Sequence, residues 1–171
     1  MKGRRGTFAK LARLPRIVVA HYERINLFAI SIALSGEFEV IEVATGAEVL
    51  DRVAAGDIDL ILLDVVTPEL DGFQVCRRLK SNPLTATIPV IFVRGFEDSA
   101  EETQGFSAGA VDYISTPIRA AIVRARVRAH VELKRSRDLF EQLVSVDPII
   151  GVANRRRFDA AIAEERRRCR R

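Results

Sequence analysis

An apolar run that ends on a carboxylate constrains this chain more than any other stretch. Ile58, Leu60, Ile61, Leu62 and Leu63 form a short apolar segment bounded by turn-forming residues. Asp64 follows, then the loop Val65-Val66-Thr67-Pro68, and Asp71-Gly72 opens the segment FQVCRRLK. Such a run reads as a strand buried on both faces of a parallel sheet. Asp64 then stands where the strand hands over to a loop, at the carboxyl edge where open α/β sheets place their chemistry.

The rest of the chain supplies matching units. Arg16 to Ala20 reads as a strand, and Ile25 to Leu34 as a helix with Leu27, Ile30 and Leu34 at helical spacing and Gly36 past its end. Phe38, Val40 and Ile41 suggest a second strand. Thr45 is an N-cap candidate for a helix through Ala55, which Gly56 terminates. Beyond the Asp64 strand come a helix over 71–81, a strand over 88–93, a helix over 99–108 ending at Gly109, and a strand over 111–115. Five strands alternating with helices define a doubly wound α/β fold.

Length and charge bound the class. A chain of 171 residues holds one ordinary domain with an appendage and needs no disulfide or metal to build its core. Cys76 and Cys169 share no motif, which fits a cytosolic, reducing compartment. No segment approaches the ~18 apolar residues of a membrane span, and the basic leader, residues 1–15, lacks the apolar stretch of a signal peptide. The net charge of +4 hides a division: residues 17–118 carry sixteen acids and six bases, whereas 119–171 carry fifteen bases and seven acids. Basic ends invite nucleic acid or an anionic membrane surface. No aromatic residues interleave the basic runs, so that reading is disfavoured against an Arg-rich helix neutralised by its own acidic core.

Several stretches, in order, resemble the receiver domain of response regulators over residues 16–131. The run IDLILLDVVTPELDG is similar to the phosphoacceptor segment, IPVIFV to the fourth strand, and GFSAGAVDYISTPI to the entry into the last helix. The resemblance implies a flavodoxin-like five-stranded parallel sheet of order 2-1-3-4-5. It also implies a phosphoacceptor at Asp64, structural roles for Pro68, Asp71, Gly72 and Pro117, and a histidine kinase as possible donor. Phosphoryl transfer to a carboxylate needs a Mg²⁺ held by oxygen ligands and donors for the phosphoryl oxygens. The family's acidic pair aligns here with His21 and Tyr22, its hydroxyl with Arg94 and its lysine with Thr116. Only Glu23 and Asp64 remain as weak metal ligands, so no cofactor is expected, and Mg²⁺ only if Asp64 still accepts phosphoryl groups.

Two readings of Asp64 stay open. It is a relic at a solvated sheet edge, with Arg94 in water, or it is paired with Arg94 in a charge-assisted contact, with His21 as second donor when protonated. His130 reads as a polar surface residue.

From Ile118 no Gly or Pro interrupts the chain through residue 146, so the last helix should run past the domain as a stalk. Ile118, Ile122, Ala125, Ala129, Glu132, Ser136, Leu139, Leu143 and Val146 fall at alternating spacings of four and three, a heptad seam broken at Glu132 and Ser136. A homodimer is the expectation, with Val123 and Val127 covering the sheet from a neighbouring face. Residues 147–171 resemble the opening of a GGDEF diguanylate cyclase domain through Asp147, Gly151, Asn154, Arg155 and Arg156. The catalytic residues of that family are missing from this stretch. The expectation is therefore a non-enzymatic, degenerate receiver that acts by dimerisation and protein contact upstream of a cyclic di-GMP output. A working phosphoacceptor receiver and an Arg-rich adaptor are the alternatives.

Overall fold

The computed structural model describes residues 13–68, 70–93 and 99–144. Five strands, β1 (Arg16–Ala20), β2 (Glu39–Val43), β3 (Leu60–Leu63), β4 (Val90–Val93) and β5 (Asp112–Ile114), form one sheet of order β2-β1-β3-β4-β5. Every pairing is parallel. Helices α1 (Arg24–Leu34), α2 (Gly46–Ala54), α3 (Gly72–Ser81), α4 (Ser99–Ser107) and α5 (Ala120–Val144) complete the described elements. The doubly wound fold expected from the apolar runs is the fold observed.

The period-2 geometry of a strand divides its side chains between two faces. Val18, Ala20, Ile61, Leu63, Val90 and Phe92 pack with Val49, Val53, Val75 and Leu79 of α2 and α3. Ile17, Val19, Leu60, Leu62, Ile91 and Val93 pack with Ile30, Ala33 and Leu34 of α1 and Val123, Val127 and Val131 of α5. The central strands are buried on both sides, which is why their sequences show no polar alternation.

Local chemistry sets the element ends. Thr45 caps α2 by accepting from the Glu48 amide at 3.2 Å, while the Glu48 carboxylate accepts from the Ala44 amide at 2.9 Å. Strand β4 starts at Val90 rather than Ile88 because Pro89 has no N–H for the ladder and the Ile88 amide is spent on a turn to Thr85. Helix α5 begins at Ala120 rather than Ile118, its first turn closing on the Arg119 carbonyl.

Packing divides the chain after Lys134: residues through 134 form one compact unit, and of the second only 135–144 are described, as the continuation of α5. Within the first unit α5 is held in two ways. Val123, Val127 and Val131 are buried on the sheet, worth about 1.5–3 kcal/mol each. Arginines then set the rotation of the helix. Arg124 donates to the Ala33 carbonyl at 3.1 Å, Arg128 reaches Glu37 at 2.6 Å, and Arg126 meets Asp112 at 2.5 Å. Exposed ion pairs contribute only about 0–1 kcal/mol, so the valines anchor and the arginines orient. These pairs neutralise part of the basic helix within the domain.

His130 corrects the sequence reading. It is half-buried, with Nε2 3.1 Å from Asp112 Oδ2, because β5 carries an acid on the side that α5 covers. The seam positions Ile122, Ala125 and Ala129 are exposed, as is Leu139. The side chain of Leu143, and all of Val146 and residues 147–171, lie outside the described residues, as does the leader up to residue 12.

Burial works against ionisation of Asp112, but hydrogen bonds from Arg126, the Tyr113 amide and His130 outweigh it and hold the carboxyl below its usual 3.8. A depressed folded pKa adds stability above the unfolded value that is lost as pH falls through the folded one. Asp112→Asn should therefore be less stable than the parent at neutral pH. The gap should close as pH drops below about 4, read by circular dichroism during acid titration; a gap independent of pH would contradict this assignment.

Candidate functional site

Strand register assembles the site. Ala20 of β1 pairs with Leu63 of β3, so the next residues, His21 and Asp64, leave adjacent strand ends side by side. The strand order reverses between these two strands, which makes the gap between their carboxyl ends the crevice of the fold. His21 Nδ1 lies 3.2 Å from Asp64 Oδ2, with the two side chains only 4% and 1% exposed. The Asp64 amide donates to the Ala20 carbonyl at 2.8 Å, and the Val66 amide donates to Asp64 Oδ1 at 3.1 Å.

The ring of His21 is met at both nitrogens. The Glu23 amide donates to Nδ1 at 3.1 Å. The Asp64 carboxylate lies against the same nitrogen. Nε2 meets Asn26 Nδ2 at 3.3 Å. Asn26 Nδ2 also donates to Glu23 Oε2 at 2.6 Å, and Tyr22 donates its hydroxyl to Glu23 Oε1 at 2.9 Å. A polar chain thus runs from Asp64 through His21, Asn26 and Glu23 to the half-exposed Tyr22. It borders an open cleft of about 820 Å³ walled by Leu27, Phe28, Val43 and Pro68. Sequence reasoning missed Asn26; its spacing of three from Glu23 across the first turn of α1 is the signal that could have found it.

The loop after Asp64 is held by tight backbone contacts. Asp71 caps α3 by accepting from the Phe73 amide at 2.8 Å, Thr67 donates its hydroxyl to the Leu70 carbonyl, and the Gly72 amide donates to the Val65 carbonyl at 2.8 Å. A Cβ on Gly72 would stand 2.9 Å from Val65 Cα and still closer to the Asp64 carbonyl oxygen. Only glycine lets the helix approach this closely.

Of the other expected site residues, Thr116 and Pro117 are exposed beyond β5 and joined by a cis peptide bond. Arg94 lies outside the described residues, so its expected pairing with Asp64 does too. Mg²⁺ demands oxygen ligands in near-octahedral geometry. The positions after β1 offer an imidazole and a phenol, and both oxygens of Glu23 are engaged by Tyr22 and Asn26. These residues do not fit Mg²⁺. Among the described residues no three His, Cys, Asp or Glu side chains converge.

The chain belongs to the response regulator receiver domain family, which matches residues 17–128. It is a two-component response-regulator receiver. A Vibrio cholerae relative named as a probable cyclic di-GMP phosphodiesterase is 38% identical over 114 residues, 67% of this chain and 26% of that protein. The response regulator PleD of Caulobacter vibrioides is 34% identical over 138 residues, 80% of this chain and 30% of PleD. The chain therefore spans about a quarter to a third of the length of these curated relatives. Among solved structures, the beryllofluoride-activated receiver domain of DrrB superposes with a TM-score of 0.63 at 28% identity, covering 70% of this chain and 99% of that one. No described helix is long and apolar enough to cross a membrane.

Gly72→Ala should destabilise the domain by about 1–3 kcal/mol through overpacking against backbone that cannot yield, measured by urea denaturation; an unchanged midpoint would mean the α3 entry is looser than these contacts require.

Proposed function

We propose that this chain is a degenerate receiver in which Asp64 is held by His21 instead of by Mg²⁺, and that it signals through dimerisation and protein contact rather than by catalysis. The observation that carries this reading is the buried 3.2 Å contact between His21 and Asp64, made from a position where the family's acidic pair aligns. An imidazole there removes the oxygen ligands a hard cation needs.

The stalk supports the dimer. Ile122, Ala125, Ala129 and Leu139 are exposed along α5 and would gain from a second helix at heptad spacing. The output is assigned to cyclic di-GMP signalling, on the residues 147–171 that resemble a GGDEF opening and on a relative named as a phosphodiesterase of that nucleotide. The compartment assigned is the cytoplasm, consistent with unpaired Cys76. An Arg-rich adaptor role loses ground because Arg124, Arg126 and Arg128 are engaged by the domain itself.

A second reading has its own support. Asp64 ends β3 with the Val66 amide donating to it, as a phosphoacceptor also requires, and a histidine kinase would then be the partner.

Titration of the chain with beryllofluoride and Mg²⁺ separates the two readings. The degenerate receiver gives no saturable NMR shift near Asp64, whereas the double variant His21→Asp with Tyr22→Asp gains a Mg²⁺-dependent one. Saturable shifts in the parent chain that disappear in Asp64→Ala would establish the working phosphoacceptor instead.

A further inference from the structure

We infer that the outer face of α1 is a self-association surface, on which a second copy of this chain packs its own α1 antiparallel across a two-fold axis between Phe28 and Ala29. The contact is separate from the stalk and goes beyond the signalling assignment.

The helix is built unlike a solvated surface helix. Its inner side is spent on the core, with Ile30, Ala33 and Leu34 buried. Its outer side is apolar too: Ile25 is 77% exposed, Phe28 66% and Ile32 56%. No charged residue occurs from Ile25 to Gly36, in a chain of which 29% is charged. Positions 25, 28 and 32 are spaced by three and four, so their side chains form one stripe along the helix. A contiguous apolar stripe left in water gains free energy when a second apolar surface covers it.

The stripe selects its occupant by its own symmetry. An isologous contact requires a surface complementary to itself, and Ile25 and Ile32 stand at equal distances from the midpoint between Phe28 and Ala29. Laid antiparallel, Ile25 of one copy meets Ile32 of the other, and each Phe28 lies against the small, part-exposed Ala29 of its counterpart. Charge agrees with the same register. Arg24 is exposed and has no carboxylate partner among the described residues. Glu42 is exposed beside α1, where it accepts from the Ser31 hydroxyl. Both line the cleft and so lie on one flank of the helix. A two-fold axis perpendicular to both helices brings like flanks together and sets Arg24 level with residue 33 of the other copy, about 3 Å along the helix from Ser31 and its Glu42. The contact therefore gains two symmetric ion pairs. Three large side chains are far fewer than the roughly 20–30 residues a side of a standard interface, so the association is weak and reversible.

Sedimentation velocity of the full chain over a wide range of concentration tests it, with Leu133→Asp and Leu139→Asp together removing the exposed stalk leucines so that the two contacts are read apart. The expected result is a monomer–dimer equilibrium in that stalk variant, lost when Phe28→Asp or Ile25→Asp is added. Arg24→Glu and Glu42→Arg should each weaken it by about fivefold, since the pair occurs twice in the contact, and the two reversals together should restore it. Ile25, Phe28, Arg24 and Glu42 are all exposed, so these variants keep the fold, checked by circular dichroism. A stalk variant that stays monomeric at every concentration, a mass indifferent to Phe28→Asp, or charge reversals that fail to rescue each other would overturn the inference and leave the stripe to a protein of different sequence.

Discussion

Burying a carboxylate at the mouth of a sheet costs several kcal/mol unless a proton donor or an opposite charge meets it, and the register of β1 against β3 decides what meets Asp64. Because Ala20 stands opposite Leu63, the next residue on β1 is delivered to the next residue on β3. That neighbour is a histidine. The contact is a backbone consequence before it is a side-chain one: the Asp64 amide is bonded to the Ala20 carbonyl, which holds the two strand ends together one residue past their last pair. Everything else at the site is arranged around this buried pair.

Helix α5 shows the same division between what anchors and what orients. Three valines at intervals of four bury one stripe against the sheet, and two carboxylates, Glu37 after α1 and Asp112 on β5, hold arginines on either side of that stripe. The outer surface is left for other contacts. Helix α1 exposes Ile25, Phe28 and Ile32 on its solvent side, and Phe28 lines the cleft that His21 borders.

Much of this was legible in the residues, and the exceptions have physical causes. The strands of the buried sheet announced themselves as unbroken apolar runs, and the caps at Thr45 and Asp71 worked as their side-chain chemistry requires. Strand ends were less exact because proline and turn hydrogen bonds, not hydrophobicity, decide where a ladder stops; Ile88 is buried but not in the sheet. His21 was readable as a substitution and as a possible donor to Asp64, whereas the direction of its ring and the part played by Asn26 are matters of rotamer that spacing does not encode. His130 was misread for a related reason. Its partner Asp112 is eighteen residues away on another element, and no periodicity links them.

The coupling of the His21 ring to Asp64 is the most direct measure of the whole account. Long-range proton–nitrogen correlation NMR of the histidine ring distinguishes its two nitrogens. The account predicts a changed Nδ1 signal in Asp64→Asn, because the two side chains are in buried contact at 3.2 Å. Ring signals that do not respond to Asp64→Asn would contradict it.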